Sequence, residues 1–549
     1  RAMTATATAT ATTPIAVPPA AGDPGHSVTR LAVRQLRRGA LITLALTAAM
    51  PALVVSTYNT MMADPAAAGA IAQLAANPAI RTLFGEPIAL DQAGGFTVWR
   101  VGTFVAVLLG AWAILATTRI TRGEEDAGRW DVLLAGTVPL RAVVARHLAV
   151  VAAVTLLAGA AVTAVLALSG TAPAGAAVHG AGIGVLGLFF AALAGFAAQV
   201  FPVRASATGA VVAVLGAGLL ARMIGDGVSA LGWLRWLSPF GLVGLSRPYA
   251  EDRVLPLLVL LVAAGALIVA ALAAAGRRDV RGGLVAAAAG RRPRLAMLGS
   301  VPAFAVRRML RPLTGWALGI GAYYLLIGLT TVTVTRFLTD NPALAADAAQ
   351  AGFSQLGAVE GFTATLYALL AMPVGGFAAV RLSGYAAAEA SRHLTLLAAQ
   401  PLTRLRMLAA ELAATTGGAV ALCTVAGAAV WAGLAATGGR LSLPDALTGA
   451  WNALPIVLLS LGAATLAVGW LPQGVGVVGA LPATGGFLLM VIADSVNAPS
   501  WLRELSPFAH LAPVPLTGVD WTSTLVMTGL AVILTVAGAV GYRRRDLQG

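Results

Sequence analysis

The chain has 549 residues, 58% hydrophobic and 11% charged, with a mean hydropathy of +0.84; a soluble domain of this length is excluded and a bilayer is required. The net charge of +14 and pI near 11.2 would direct a soluble chain to nucleic acid, but here the positions of the charges decide, and they follow membrane topology. All 36 basic residues are arginine, and the single cysteine, Cys423, excludes an intrachain disulfide or a cysteine-rich metal site and is read as a packing residue.

In chain order, residues 1–27 are rich in Ala, Thr and Pro and are expected to be a disordered tail. They lack a basic flank followed by an apolar core, so no cleavable signal peptide is read and targeting is expected from the first span. Twelve apolar runs follow, each about 18 residues or more, enough to cross about 30 Å of hydrocarbon as a helix. The first half, 28–275, places them near 39–58, 98–118, 148–169, 179–200, 205–223 and 254–275. The second, 314–549, places them near 314–335, 361–380, 409–435, 447–470, 474–493 and 522–542. With both termini cytoplasmic, 26 arginines fall on inner segments and nine on outer ones, the positive-inside asymmetry.

Between the halves, residues 276–313 carry nine arginines and one acid and read as a cytoplasmic linker near anionic headgroups. Its end, FAVRRMLRPL, resembles RLAVRQLRRG before the first span; both suit either a helix lying at the membrane surface or an ordinary basic flank.

The chain repeats itself. Trp233 to Phe240 reads WLRWLSPF and Trp501 to Phe508 reads WLRELSPF. Asp226 and Asp494 keep the same offset, and Arg278-Asp279 after span six matches Arg545-Asp546 after span twelve. Six spans per half is an even number, so the repeats are parallel and related by an axis along the membrane normal.

Two segments of each repeat can carry mechanism. The loop after span two reads TRITRGEEDAGRWDVLLAGTVPLR. Thr121 and Glu124 have the spacing of a capping box. Ala127, Trp130, Leu133 and Leu134 form an apolar stripe, beside a charged surface of Glu124, Glu125, Asp126 and Arg129. A short amphipathic helix of this kind can dock into a groove on a cytoplasmic partner. Its second-half counterpart matches Asp126, Arg129, Leu133, Leu134 and Ala135 to Glu389, Arg392, Leu396, Leu397 and Ala398. The LSPF segments lie on the outer side, where Trp233, Trp236 and Trp501 suit the interface and Pro239 and Pro507 interrupt the helix.

At these residues the chain resembles the membrane-spanning subunits of type-2 ABC exporters, especially the double-length form associated with polyketide antibiotic export in actinobacteria. The resemblance covers residues 28–549 and rests on the EExxGRWDVLLAGTVPLR-like loop, the LSPF segments and the RRD after the last span. It implies an all-α polytopic fold of 12 transmembrane helices in two parallel six-helix repeats, and a permease of an ATP-driven exporter in the cell membrane. It further implies that Glu124, Glu125, Asp126, Arg129, Trp130, Glu389 and Arg392 couple to two copies of a separate ATPase that binds ATP and Mg. Short re-entrant elements would close an outer gate at Ser238, Pro239, Phe240, Ser506, Pro507 and Phe508; the other reading is that the Ser-Pro pairs simply turn the chain. The second loop lacks the adjacent acids, which leaves its coupling weaker or asymmetric.

The chain has no lysine, so it contains no GxxxxGK[ST] phosphate loop, and no paired carboxylates or spaced His/Asp cluster marks catalysis or a metal. The expected cargo is a hydrophobic or amphipathic compound, with Phe104, Trp112, Tyr323, Tyr324 and Tyr367 as candidate lining and membrane lipid as surroundings. The rival is a proton-coupled secondary transporter with two six-helix halves. That class needs buried titratable groups, whereas Arg100, Arg222, Glu411 and His179 read as helix-end residues.

Overall fold

The computed structural model describes residues 24–61, 81–82, 84–285, 296–340, 358–390, 402–495 and 498–545. The expected tail at 1–23 lies outside the described residues, as do Arg392, Leu396, Leu397, Ala398 and Asp546.

Every element among the described residues is helical. The first half contains α1 Pro24–Met61, α2 Ala93–Thr118, α3 Arg129–Leu134, α4 Leu140–Leu168, α5 Pro173–Val200, α6 Arg204–Gly227, α7 Leu234–Leu237, α8 Pro239–Leu245 and α9 Leu255–Ala275. The second contains α10 Val301–Asp340, α11 Val359–Ala390, α12 Arg404–Ala436, α13 Leu443–Trp451, α14 Leu454–Trp470, α15 Val475–Ala480, α16 Gly486–Ser495, α17 Ser500–Glu504 and α18 Trp521–Arg544. Eleven helical stretches are long and apolar enough to cross a membrane. The eleventh predicted span, 474–493, is instead a shorter apolar stretch, Val475–Met490, in which α15 and α16 are separated by a π turn, Leu481–Gly485. Pro482 explains the interruption, because it has no N–H and its ring crowds the preceding turn.

Each half has its own apolar core. In the first, α1 packs on α4, and α5 packs on α2, α4 and α9; in the second, α10 packs on α12, and α14 packs on α11 and α18. The fourth and tenth spans are therefore the central helices, and their most apolar windows are 72% and 78% buried. Small residues allow the close approach: a Cβ on Gly159 would stand 2.4 Å from the Gly180 carbonyl oxygen, and one on Gly538 2.3 Å from that of Thr465. The halves themselves meet chiefly along α6 and α10.

The basic flanks do not form separate helices at the membrane surface. Helices α1 and α10 run unbroken from flank into span, so helix begins at Pro24 inside the expected tail and at Val301 inside the expected linker. Their apolar ridges are spent on the protein: Val28, Ala32, Leu36 and Ala40 recur every fourth residue and are all buried, as are Ala305 and Met309.

Candidate functional site

The first candidate site is the C-terminal end of span two. Instead of a capped new helix, α2 continues through a π turn, Arg119–Gly123, into a helical turn, Glu124–Asp126. The expected capping box is absent: Thr121 is buried and donates to the Thr117 carbonyl at 2.6 Å, and no side chain caps the turn. Gly128, with φ of 73°, supplies the left-handed residue that reverses the chain into α3.

The two adjacent glutamates point inward, contrary to the charged outer surface expected of them. Glu125 is 1% exposed and takes a bidentate pair from Arg278 at 2.6 and 2.7 Å, with a further bond from the Arg281 backbone N–H at 2.7 Å. Arg122, fully buried, lies 3.2 Å from the same carboxylate and donates to the carbonyls of Ala198 and Gly282. Glu124, 8% exposed, binds Arg129 through two bonds of 2.5 and 2.7 Å, which hold the guanidinium above its ordinary pKa. Asp126 accepts from the Arg204 backbone N–H at 2.8 Å and pairs with neither arginine as the sequence spacing suggested. Trp130 is buried against Val28, Val143, Leu148 and Ala271, with its ring 5.5 Å from that of His147. The apolar stripe thus fixes the loop to its own half. Asp126, Ala127, Arg129, Asp131 and Val132 remain exposed, Val132 at 80%, as do Ala135, Gly136, Thr137 and Pro139 after them.

The second half repeats the clamp with one partner. Arg545 donates to Glu389 at 2.7 Å and to the Val468 carbonyl at 3.2 Å, while Arg404 donates to the Arg545 carbonyl at 2.7 Å. In its contacts Glu389 therefore corresponds to Glu125, one residue from the Asp126 match drawn from sequence. In each half the acid after the even-numbered span grips the arginine after the last span.

The second candidate site is the LSPF pair, at the opposite end of each bundle. Ser238 donates to the Gly218 carbonyl at 2.6 Å and accepts from the Gly241 N–H at 3.1 Å, capping α8. Ser506 donates to the Gly486 carbonyl at 2.8 Å and accepts from the Phe508 N–H at 3.2 Å. Both serines are fully buried. The glycines are required by the prolines: a Cβ on Gly218 would meet Pro239 Cδ at 3.2 Å, and one on Gly486 would meet Pro507 Cδ at 2.8 Å. Phe240 packs on Phe190 and Phe508 on Phe487, while Trp233, Trp236 and Trp501 stay exposed. Each motif is a latch that ties a short turn to the helix before it.

The candidate lining residues divide. Phe104 is 58% exposed, whereas Trp112 is partly buried in the first core. Tyr324 and Tyr367 are core residues of the second half, stacked with centroids 6.2 Å apart, and Tyr324 donates to the Leu366 carbonyl at 2.8 Å. Tyr323 packs edge-on against Tyr324. Neither Tyr324 nor Tyr367 presents surface to a cargo in this conformation.

The helix-end reading fails for Arg222, Glu411 and His179, all of which are buried. Arg222 and Asp226 form a buried ion pair at 2.6 Å, joined by Arg235 and Glu86. Glu411 pairs with Arg381, with both side chains largely buried. His179 is 2% exposed and is no helix cap. Acid–arginine spacing of four at 222 and 226 was the signal available in sequence.

These features define a class: a polytopic helical membrane protein of two repeated halves, each clamped at one end and latched at the other. A profile described as the C-terminal domain of the multidrug efflux system permease Rv1217c matches residues 26–275 and 298–543, the two halves. The multidrug efflux system permease protein Rv1217c of Mycobacterium tuberculosis (strain ATCC 25618 / H37Rv) is 30% identical over 518 residues, covering 92% of each chain. The chain belongs to this family of multidrug efflux permeases, in accord with the type-2 ABC exporter resemblance.

Proposed function

We propose that the chain is the membrane subunit of an ATP-driven exporter, with both termini cytoplasmic and two copies of a separate ATPase, carrying ATP and Mg, beneath the two loops. The observation that carries this is the repeated clamp, Glu125 on Arg278 and Glu389 on Arg545, which ties the C-terminal end of the second span's helix in each half to the end of its last span. Displacement of a loop by an ATPase would pass to that last helix, whose other end follows the LSPF latch. Closing of the ATPase pair would then shift the permease between inward and outward access. The surface offered to the ATPase in the first half is Asp126, Arg129, Asp131 and Val132, with Glu124 and Glu125 holding it in place. The cargo is hydrophobic or amphipathic, taken from between the halves.

Purification of the chain from its native host in mild detergent tests this: a copurifying ATPase whose hydrolysis the chain stimulates is expected. Val132→Glu should abolish that association while leaving the melting temperature within a degree or two, because it alters an exposed side chain. The buried Arg222–Asp226 and Arg381–Glu411 pairs favour a second reading, proton-coupled transport. Both are charge-compensated within the chain. Proton-driven uptake by the isolated chain, with no ATPase bound, would establish that reading and overturn the first.

A further inference from the structure

A cavity of about 80 Å³ lies within the first half, at the latch end. It sits between α2, α5, α6 and the re-entrant turn, and its walls include Trp99, Gly102, His179, Arg222 and Phe240. Two of these side chains bring unsatisfied polar atoms. Arg222 Nη1 and His179 Nδ1 are buried and have no hydrogen-bond partner in the protein, although Arg222 spends its other nitrogens on Asp226 and on the Phe84 carbonyl. Burying such atoms without partners is costly, so a ligand that satisfies them is favoured.

The surroundings select the ligand. The four charges lining the cavity, Arg222, Asp226, Arg235 and Glu86, are paired with one another, and Arg247 reaches Glu86 at 4.0 Å from outside the lining, so no charge on the wall is left without a counter-charge for a charged ligand to supply. The remaining wall is aromatic and aliphatic, from Phe84, Trp99, Val98 and Phe240. The arrangement is confined to the first half, for in the α6 and α16 register fixed by Gly218 and Gly486 the place of Arg222 is taken by Met490.

We propose that this cavity binds the uncharged, hydroxyl-bearing ring of an amphipathic molecule. Its oxygen accepts from Arg222 Nη1, its hydroxyl meets His179 Nδ1, and its ring lies on the apolar wall. That the molecule is cargo rests on the export reading; that the cavity binds it does not.

Binding is therefore measured on the purified permease in lipid nanodiscs, without ATPase or gradient, by fluorine NMR of 4-fluorophenol with empty nanodiscs as background. Saturable binding is expected, at least about ten-fold tighter than for 4-fluorotoluene, which has the same shape and no hydroxyl. His179→Phe should remove the preference for the phenol while the protein keeps its melting temperature. The double change Arg222→Met with Asp226→Asn, which removes both charges and copies Met490, serves as the second variant if His179→Phe does not fold. Equal binding of the two probes, or a phenol preference that survives either folded variant, overturns the proposal. A bound phenol with no effect on ATPase stimulation would leave the site standing and remove only its assignment to cargo.

Discussion

The two halves agree in backbone and differ in charge. Both close the latch with a serine hydroxyl on a glycine carbonyl twenty residues earlier, and both grip the arginine after their last span with an acid from the C-terminal end of the second span's helix. At the clamp the first half is heavier, with two arginines and a backbone N–H on a carboxylate that is 1% exposed; the second has one arginine, itself 20% exposed. At the latch end the first half holds the Arg222–Asp226 network, whereas the second has Met490 in that place. Duplication has thus kept what sets the geometry of each bundle and let some of the polar groups diverge.

The largest test of this contrast is at the clamp. Glu125→Ala strands Arg122 and Arg278 in a buried site and should cost about 3–5 kcal/mol, read as a fall in the unfolding midpoint. Glu389→Ala should cost clearly less, because Arg545 reaches solvent; equal losses would dismiss the asymmetry. The latch should behave in the opposite way. Ser238→Ala and Ser506→Ala each remove one buried bond and leave a glycine carbonyl unpaired, so each should cost about 1–3 kcal/mol, and by the same amount within error. A latch that tolerates the loss in one half alone would break the repeat at its clearest point.

The smallest effect is confined to the second half. Asp520 caps α18 by accepting from the N–H groups of Thr522 and Ser523 and from the Ser523 hydroxyl, which holds its carboxyl below the usual range. A depressed folded pKa stabilises above the unfolded carboxylate pKa and is lost as pH falls through the folded one. Asp520→Ala should therefore lower the melting temperature at neutral pH, and the difference from the parent should vanish in acid.

Hydropathy placed the helices because span length is a property of one segment and a bilayer. The twin WLRxLSPF segments were legible for the same reason, being words in the sequence. Their partners Gly218 and Gly486 were not, since a carbonyl that accepts a bond leaves no mark on its own side chain. Arg222 and Glu411 were misplaced because a hydropathy window reports depth along a helix and says nothing of the face on which a residue sits. Glu125 shows the same limit: the sequence places it on a charged surface, and its partner, Arg278, is 153 residues away. The capping box failed because the same residues fit within a helix that never stops.

The unbroken first helix has a mechanical consequence. Thirty-eight residues of helix measure about 57 Å, nearly twice the hydrocarbon thickness. Pro24 to Arg38 therefore forms an arm of about 20 Å beyond the span. A change of about 10° in the tilt of the membrane part would sweep the tip of that arm through about 4 Å. The arm carries Val28, which sits in the same packed cluster as Trp130 of the loop after the second span. Any change of tilt in the first span would therefore reach the loop directly, through the packing of Val28 in that cluster.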